Sequence, residues 1–212
     1  MKDENAVIKV TPDNLEAYLG KAKYTKDRIN KKDEVGIVRG LAWTSVGGDT
    51  LEIEVNIMPG KGKLELTGQL GDVMKESAKT GLSYIRSISG NFDIPKDFFE
   101  KHDFHIHIPE GAVPKDGPSA GITMATAILS AVTEKKVRAD VAMTGEVTLR
   151  GRVLPIGGLK EKILAAKMAG VKKVLVPMEN EKDVEEISKE IKSGIEIVFV
   201  ETMSEVIQHA FA

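Results

Sequence analysis

Hydrophobic positions recur along the chain with two different spacings, which predict strands in some segments and helices in others. Runs rich in β-branched residues predict strands at VGIVRGLAWT, TLEIEVNIM, KLELTG and FHIHIP. Spacings of three and four residues predict helices over residues 72–87, after Ser119, and in GGLKEKILAAKMAG, which Gly170 ends. Strand, helix, strand and helix follow for KKVLVP, EKDVEEISKEIKSG, IEIVFV and MSEVIQHAFA. This irregular order predicts an α+β (mixed α/β) fold rather than a regular doubly wound sheet.

Connections and composition divide the chain into two parts. Residues 1–34 are polar and rich in lysine, with one short helical pattern in TPDNLEAYLG, and KAKYTKDRINKKDE reads as a linker. We therefore predict a boundary near residue 34 and a compact domain over 35–212. Within that domain SVGGD is expected to join two strands as a hairpin, and VAMTGEVTL is expected to form one strand.

Charge and cysteine content exclude several classes of protein. The 30 Lys and Arg residues nearly balance 32 Asp and Glu residues, and there is no cysteine. This balance predicts neither nucleic acid nor an anionic membrane as a partner, and thiolate metal sites are impossible. The apolar runs are too short for a membrane span, so we expect a soluble, cytosolic protein. His105 and His107 share one face of a strand, but a third ligand is missing, so hydrogen-bonded structural histidines are favoured over a metal site.

The stretch PKDGPSAGITMATAILSA places Ser119 at the start of an apolar helix. Serine at such a position is most often a helix cap. The small residues around it, however, leave room for a substrate to reach its hydroxyl. Backbone N–H groups in the first helical turn are expected to stabilise an oxyanion. Ser119 is therefore either a cap or a nucleophile, and no histidine motif supplies its base.

A lysine is the alternative base. Leu159, Ile163 and Ala166 form the apolar face of the helix GGLKEKILAAKMAG, and Lys162 lies beside that face. Desolvation lowers the pKa of a lysine, as a general base requires, although a lysine at the edge of a core is the more common case. Lys160 and Lys167 are expected to be solvated. Ser119 and Lys162 together predict a Ser–Lys dyad, with Thr144 of MTGE able to orient the amine or to serve only as a strand residue.

These segments resemble a known family. PEGAVPKDGPSAGITMATA, RADVAMTGEVTLRGRVLPIGGLKEKILAAKMAG and GLAWTSVGGDTLEIE closely resemble the proteolytic domain of the ATP-dependent Lon serine proteases. The form PKDGPSAG is similar to the LonA branch of bacteria and mitochondria. The resemblance covers roughly residues 35–212 and implies the Lon proteolytic-domain fold, which is similar to that of the GHMP kinases.

The resemblance also implies roles for individual residues. It makes Ser119 the nucleophile, Lys162 the general base and Thr144 a support for the lysine. Asp116 and Glu146 match acidic positions near the family's site. The possible substrate region contains Trp43 and Pro118, although Trp43 is also compatible with a place in the core. The implied reaction is endopeptidase cleavage of unfolded, damaged and regulatory proteins through an acyl-enzyme.

One part of the family pattern is missing. The chain has no G-x-x-x-x-G-K-[ST] phosphate loop, and residues 1–34 resemble the tail of an ATPase module. We therefore expect no cofactor in this chain, with ATP and Mg²⁺ bound only in the missing module. A homohexamer and the bacterial cytoplasm rather than the mitochondrial matrix are implied. A GHMP-kinase-like phosphotransferase and a non-catalytic assembly module remain alternatives.

Overall fold

The computed structural model describes residues 9–21, 32–44, 47–109 and 113–212. In chain order, the described helices and strands are α1 (Leu15–Leu19), β1 (Ile37–Thr44), β2 (Gly47–Pro59), β3 (Leu64–Thr67), α2 (Asp72–Ser87), α3 (Phe98–Lys101), β4 (His102–His107), α4 (Gly121–Thr133), β5 (Val141–Met143), β6 (Glu146–Val147), β7 (Val153–Leu154), α5 (Leu159–Ala169), β8 (Lys173–Pro177), α6 (Glu181–Glu186), α7 (Lys189–Lys192), β9 (Glu196–Val200) and α8 (Met203–Ala210).

Seven of the described strands form one sheet in the order β3-β4-β2-β1-β5-β8-β9. Strand β2 is antiparallel to both of its neighbours, β1 and β4. The other four neighbouring pairs in this sheet are parallel. Strands β6 and β7 form a separate antiparallel pair. The predicted mixed α/β fold is confirmed.

Helices cover the sheet on both faces because its central strands are apolar on both sides. In β8, Leu175 packs in the larger core with α2, α4 and α8, whereas its neighbours Val174 and Val176 pack in a second core with α5 and α6. Strand β5 alternates in the same way, with Ala142 in the second core. Because successive side chains of a strand point to opposite faces of the sheet, α4 and α5 pack on opposite faces of the same strands.

Most of the predicted helices and strands are confirmed, including α2 at Asp72–Ser87 and the end of α5 at Gly170, whose φ is 91°. The hairpin of β1 and β2 is also confirmed, but β2 already begins at Gly47, which pairs with Thr44. Of the predicted connection SVGGD, residues 45–46 lie outside the described residues.

Two predicted segments are divided. The single helix expected in EKDVEEISKEIKSG is wrong, because the extended backbone of Ile187 and Ser188 separates α6 from α7. Val184 and Ile187 are both buried in the second core, at a spacing of three residues that one continuous helix would also allow, so the break does not follow from their burial. The single strand expected in VAMTGEVTL is also wrong: it ends at Met143, and β6 begins at Glu146.

The N-terminal part is described only in pieces. Helix α1 confirms the short helix, and none of its residues is buried. The predicted linker lies mostly in residues 22–31, outside the described residues, and the boundary near residue 34 stays a prediction. No helix in the described ranges is long and apolar enough to span a membrane.

Candidate active site

A cavity of about 360 Å³ lies between the end of β1, the segment before α4, the loop before α5, and α5 itself. Residues that the sequence predicted to be functional lie in its wall: Trp43, Asp116, Pro118, Ser119 and Lys162. Thr144 lies behind the wall, is fully buried and is hydrogen-bonded to Lys162. The fold thus brings distant parts of the sequence to one place.

Ser119 is half-buried, two residues before the first residue of α4. The N-cap of α4 is Ala120, and no side chain among the described residues caps the helix, so the alternative that Ser119 is a helix cap is wrong. Among the described residues, hydrogen bonds to Ser119 involve its carbonyl and not its hydroxyl. The hydroxyl therefore remains available at the cavity wall.

Backbone donors beside Ser119 differ from the expectation of a first-turn oxyanion hole. The N–H groups of Gly121 and Ile122 already donate to the carbonyls of Pro118 and Gly145, at 3.0 and 3.1 Å. Within the described ranges, the N–H groups of Ser119 and Ala120 have no hydrogen-bond acceptor. The available donors thus lie immediately before the helix and not in its first turn.

Lys162 lies in the first turns of α5, and only 2% of the residue is exposed. Burial lowers the pKa of its amine from 10.5 to about 8, because an ammonium ion loses hydration when apolar groups surround it. Lys160 is exposed as predicted. Lys167 is half-buried, and its amine donates to the Glu190 carbonyl in an exposed hydrogen bond.

Thr144 connects the lysine to the backbone of Ser119. Its hydroxyl donates to the Ser119 carbonyl at 3.3 Å and accepts from Lys162 Nζ at 3.1 Å. A threonine hydroxyl has only one proton, so with that proton on the carbonyl its oxygen can only accept from the amine. A neutral amine bound in this way keeps its lone pair for another partner. The chain bends here because β5 ends at Met143 and Gly145 N–H donates to the Ser119 carbonyl at 2.8 Å.

Ser119 and Lys162 share the cavity without a direct bond in this geometry. Among the described residues, the hydrogen bond of Lys162 Nζ goes to Thr144, and none joins it to Ser119 Oγ. Catalytic hydrogen bonds are often long in a free enzyme and shorten when substrate binds. The arrangement therefore has a buried, weakly basic amine and an unengaged serine hydroxyl in one cavity.

The other predicted site residues, Asp116, Trp43 and Glu146, differ in their contacts and in their distance from the cavity. Asp116 accepts hydrogen bonds from the N–H groups of Met74 and Gly117, at 2.9 and 2.8 Å, and these bonds hold the pKa of its carboxyl below the usual value. Trp43 is 60% exposed, so its alternative place in the core is wrong. Glu146 is half-buried in β6 and does not line this cavity.

Sequence reasoning missed two residues beside the predicted nucleophile. Lys115 is buried, lines the cavity, and donates to the Val113 carbonyl at 3.1 Å. Ser77 is buried on α2 and donates to the Pro118 carbonyl at 3.4 Å. The available signal was a serine within the apolar stripe of α2, because a buried polar side chain requires a hydrogen-bond partner.

The ring nitrogens of His105 and His107 both contact the hydroxyl of Thr67, at 2.9 and 2.7 Å. Thr67 lies on the parallel neighbour β3, opposite His107. The structural interpretation of these histidines agrees with this arrangement.

Comparison with known proteins identifies relatives along nearly the whole chain. The family model of the Lon protease (S16) C-terminal proteolytic domain matches residues 9–212. The chain is 67% identical over 203 residues to the Lon protease of Lachnoclostridium phytofermentans, covering 96% of this chain and 25% of that protein. It is 58% identical over 203 residues to the Lon protease of Clostridioides difficile, covering 96% of this chain and 26% of that protein. It is 55% identical over 208 residues to Lon protease 1 of Bacillus subtilis, covering 98% of this chain and 27% of that protein.

The chain thus spans about a quarter of the length of these relatives. The match includes all the segments that form the cavity, since they lie within residues 9–212. The mixed α/β fold is consistent with the same family. This chain therefore belongs to the Lon protease family, and it corresponds to the C-terminal proteolytic domain of these proteases.

Proposed function

We propose that this chain cleaves peptide bonds through a Ser–Lys dyad in which Ser119 is the nucleophile and Lys162 is the general base and acid. The observation that carries the proposal is the buried Lys162 amine, whose pKa of about 8 leaves a useful neutral fraction near neutral pH. Its amine lies in the same cavity as the Ser119 hydroxyl, which has no hydrogen bond among the described residues.

The reaction proceeds in two halves. Neutral Lys162 takes the proton of Ser119 Oγ while that oxygen bonds to the substrate carbonyl carbon. The tetrahedral intermediate then collapses, the C–N bond breaks, and the Lys162 ammonium protonates the departing amine. In the second half Lys162 takes a proton from water, whose oxygen attacks the ester carbon. The ester C–O bond breaks, and the proton returns to Ser119.

Thr144 acts as a positioning residue in this scheme. Its proton is directed to the Ser119 carbonyl, so its oxygen accepts one N–H of the lysine and leaves the amine lone pair for Ser119 Oγ. The N–H groups of Ser119 and Ala120 are the proposed donors to the oxyanion, because they lack other acceptors among the described residues. Glu146 has no role in this scheme, since it does not line the cavity.

The substrate is proposed to bind as an extended peptide. Strand β5 pairs with β1 only at Arg39 and Gly40, whereas β2 pairs with β1 along its full length. Beyond Gly40, β1 therefore has a strand on one side and the cavity on the other. An extended peptide can add a strand to such an edge. Trp43 and Pro118 line this cavity and supply apolar surface for substrate side chains.

The decisive experiment compares wild-type protein with Ser119→Ala and Lys162→Ala on an unfolded protein and on a short fluorogenic peptide, without ATP. Ser83→Ala and Lys160→Ala are matched controls because both residues are exposed. We expect the two site variants to lose cleavage while remaining folded, and the controls to retain it. Cleavage that survives Ser119→Ala, or a wild-type chain that cleaves neither substrate, would contradict the proposal.

For the whole enzyme we propose ATP-dependent degradation of unfolded, damaged and regulatory proteins by a homohexamer in the bacterial cytoplasm, with a role in protein quality control and the stress response. ATP and Mg²⁺ would bind to parts of the enzyme other than these 212 residues, which contain no phosphate loop. Accordingly, adding Mg²⁺ and ATP to this chain is expected to leave its rate of peptide cleavage unchanged. A clear stimulation would contradict this assignment.

A further inference from the structure

The segment that precedes Ser119 runs along the N-terminal end of α2 and bonds to it at successive positions. Lys115 N–H donates to the Gln69 carbonyl at 3.1 Å, and Gly71 N–H donates to the Lys115 carbonyl at 2.7 Å. These two bonds form a short parallel bridge just before the helix. The nucleophile segment is thus aligned with α2 before it reaches the serine.

The next contact is made by a carboxylate. Asp116 Oδ1 accepts from Met74 N–H, in the first turn of α2, and from Gly117 N–H. The N-cap of α2 is Gly71, which has no side chain and cannot cap the helix itself. A methyl group on Gly71 would lie 2.2 Å from the Asp116 carboxyl carbon. Glycine at this position therefore leaves room for a capping group supplied by a distant part of the chain.

The last contact is made by Ser77, one turn further along α2. Its hydroxyl donates to the Pro118 carbonyl at 3.4 Å, and that carbonyl also accepts from Gly121 N–H at 3.0 Å. Ser77 is 7% exposed and lies among apolar residues of the helix face that packs against α4. A serine in this stripe contributes little apolar burial, so its hydrogen bond to the residue before Ser119 is its distinctive contribution.

We propose that Ser77 and Asp116 are positioning residues that fasten the turn before Ser119 to α2, and that they set the direction of the nucleophile. The two bonds hold residues 116 and 118, on either side of Gly117, whose φ of 112° is a conformation that favours glycine. Proline at 118 restricts the backbone further. This proposal rests on the proposed function of Ser119.

A positioning role predicts a loss of turnover rather than a loss of substrate binding. Ser77→Ala and Asp116→Ala, which remove the donor and the acceptor of these bonds, should each lower kcat by about tenfold, since small displacements of a reacting group are costly. KM should change by less than about twofold. The reaction of Ser119 with a fluorophosphonate should slow by a similar factor. The mechanism has no proton-transfer step at either side chain, so the pH at which activity is half-maximal should not move.

Two matched controls make similar hydrogen bonds away from the cavity. Ser87, at the other end of α2, donates to the Tyr84 carbonyl at 2.7 Å. Asp103 accepts from the N–H groups of Lys61 and Lys63, at 2.7 and 2.8 Å. Ser87→Ala and Asp103→Ala, which remove these bonds, should leave kcat and fluorophosphonate reactivity within about twofold of wild type.

A measurement that does not depend on activity separates this proposal from the proposed function. Amide hydrogen exchange over residues 113–124 should accelerate several-fold in Ser77→Ala and Asp116→Ala, and not in the controls. Unchanged exchange together with unchanged kcat, or a higher KM at constant kcat, overturns the fastening of the turn. A wild-type chain that neither cleaves peptide nor reacts with the fluorophosphonate contradicts the proposed function, whereas exchange still decides whether α2 holds the turn.

Discussion

Replacing Lys162 by methionine should make the protein more stable at neutral pH while abolishing its activity. The pKa of the buried amine is about 8 instead of 10.5, so the folded protein pays a free-energy cost for keeping the ammonium ion below pH 8. One pKa unit corresponds to about 1.4 kcal/mol, which makes this cost roughly 3 kcal/mol. Methionine is similar in size and carries no charge.

The hydrogen bond to Thr144 partly offsets this gain. Its loss costs about 1 kcal/mol, so the net gain in the free energy of unfolding at pH 7 is about 2 kcal/mol. Between pH 8 and 10.5 the unfolded chain binds more protons than the folded chain, so wild-type stability rises with pH. The advantage of the methionine variant should therefore shrink to about 1 kcal/mol at pH 9 and almost vanish by pH 10.

Urea unfolding of wild type and Lys162→Met at pH 6.5, 7.5, 8.5 and 9.5 measures this difference directly. Lys160→Met, an exposed change on the same helix, is the control and should stay within about 0.5 kcal/mol of wild type. A methionine variant that is less stable than wild type at pH 7, or a stability difference that does not vary with pH, would refute the argument from desolvation.

Three further predictions concern Lys162, Thr144 and Gly158. The rate at which Ser119 reacts with a fluorophosphonate should rise about tenfold per pH unit below pH 8 and level off above pH 9, because neutral Lys162 is the base. A rate independent of pH would contradict that role. Thr144→Val should slow the same reaction at least about tenfold. Thr144→Ser should retain most of the wild-type rate, since serine keeps the hydroxyl that joins Lys162 to the Ser119 carbonyl. Equal rates in both variants would argue against orientation by this hydroxyl. Gly158→Ala should destabilise the protein by about 1–2 kcal/mol in thermal unfolding and shift the fluorescence of Trp43. The reason is that φ of Gly158 is 68° and the new methyl group would lie 2.7 Å from the tryptophan side chain. Unchanged stability and fluorescence would be incompatible with this packing.

Local patterns in the sequence were sufficient to predict most of the fold. Helix α2 and the β1–β2 hairpin follow from hydrophobic spacing, because a residue's place on a helix or strand face depends only on nearby positions. The prediction failed where tertiary contacts override local preference. Strand β5 ends where Gly145 N–H donates to the Ser119 carbonyl, whereas the extended backbone at Ile187 and Ser188 divides a segment whose hydrophobic spacing fits one helix.

The candidate site, too, was predictable from the sequence in some respects and not in others. The sequence by itself determined the residue types, the family resemblance, and the place of Lys162 beside the apolar face of its helix. Only the tertiary structure decided that the lysine is desolvated, that Thr144 joins it to Ser119, and that Asp116 and Ser77 bond the preceding turn to α2. These bonds link segments that lie 18 to 42 residues apart along the chain. Spacing along a helix or strand determines which face a residue occupies, but whether two such faces meet depends on how the whole chain packs.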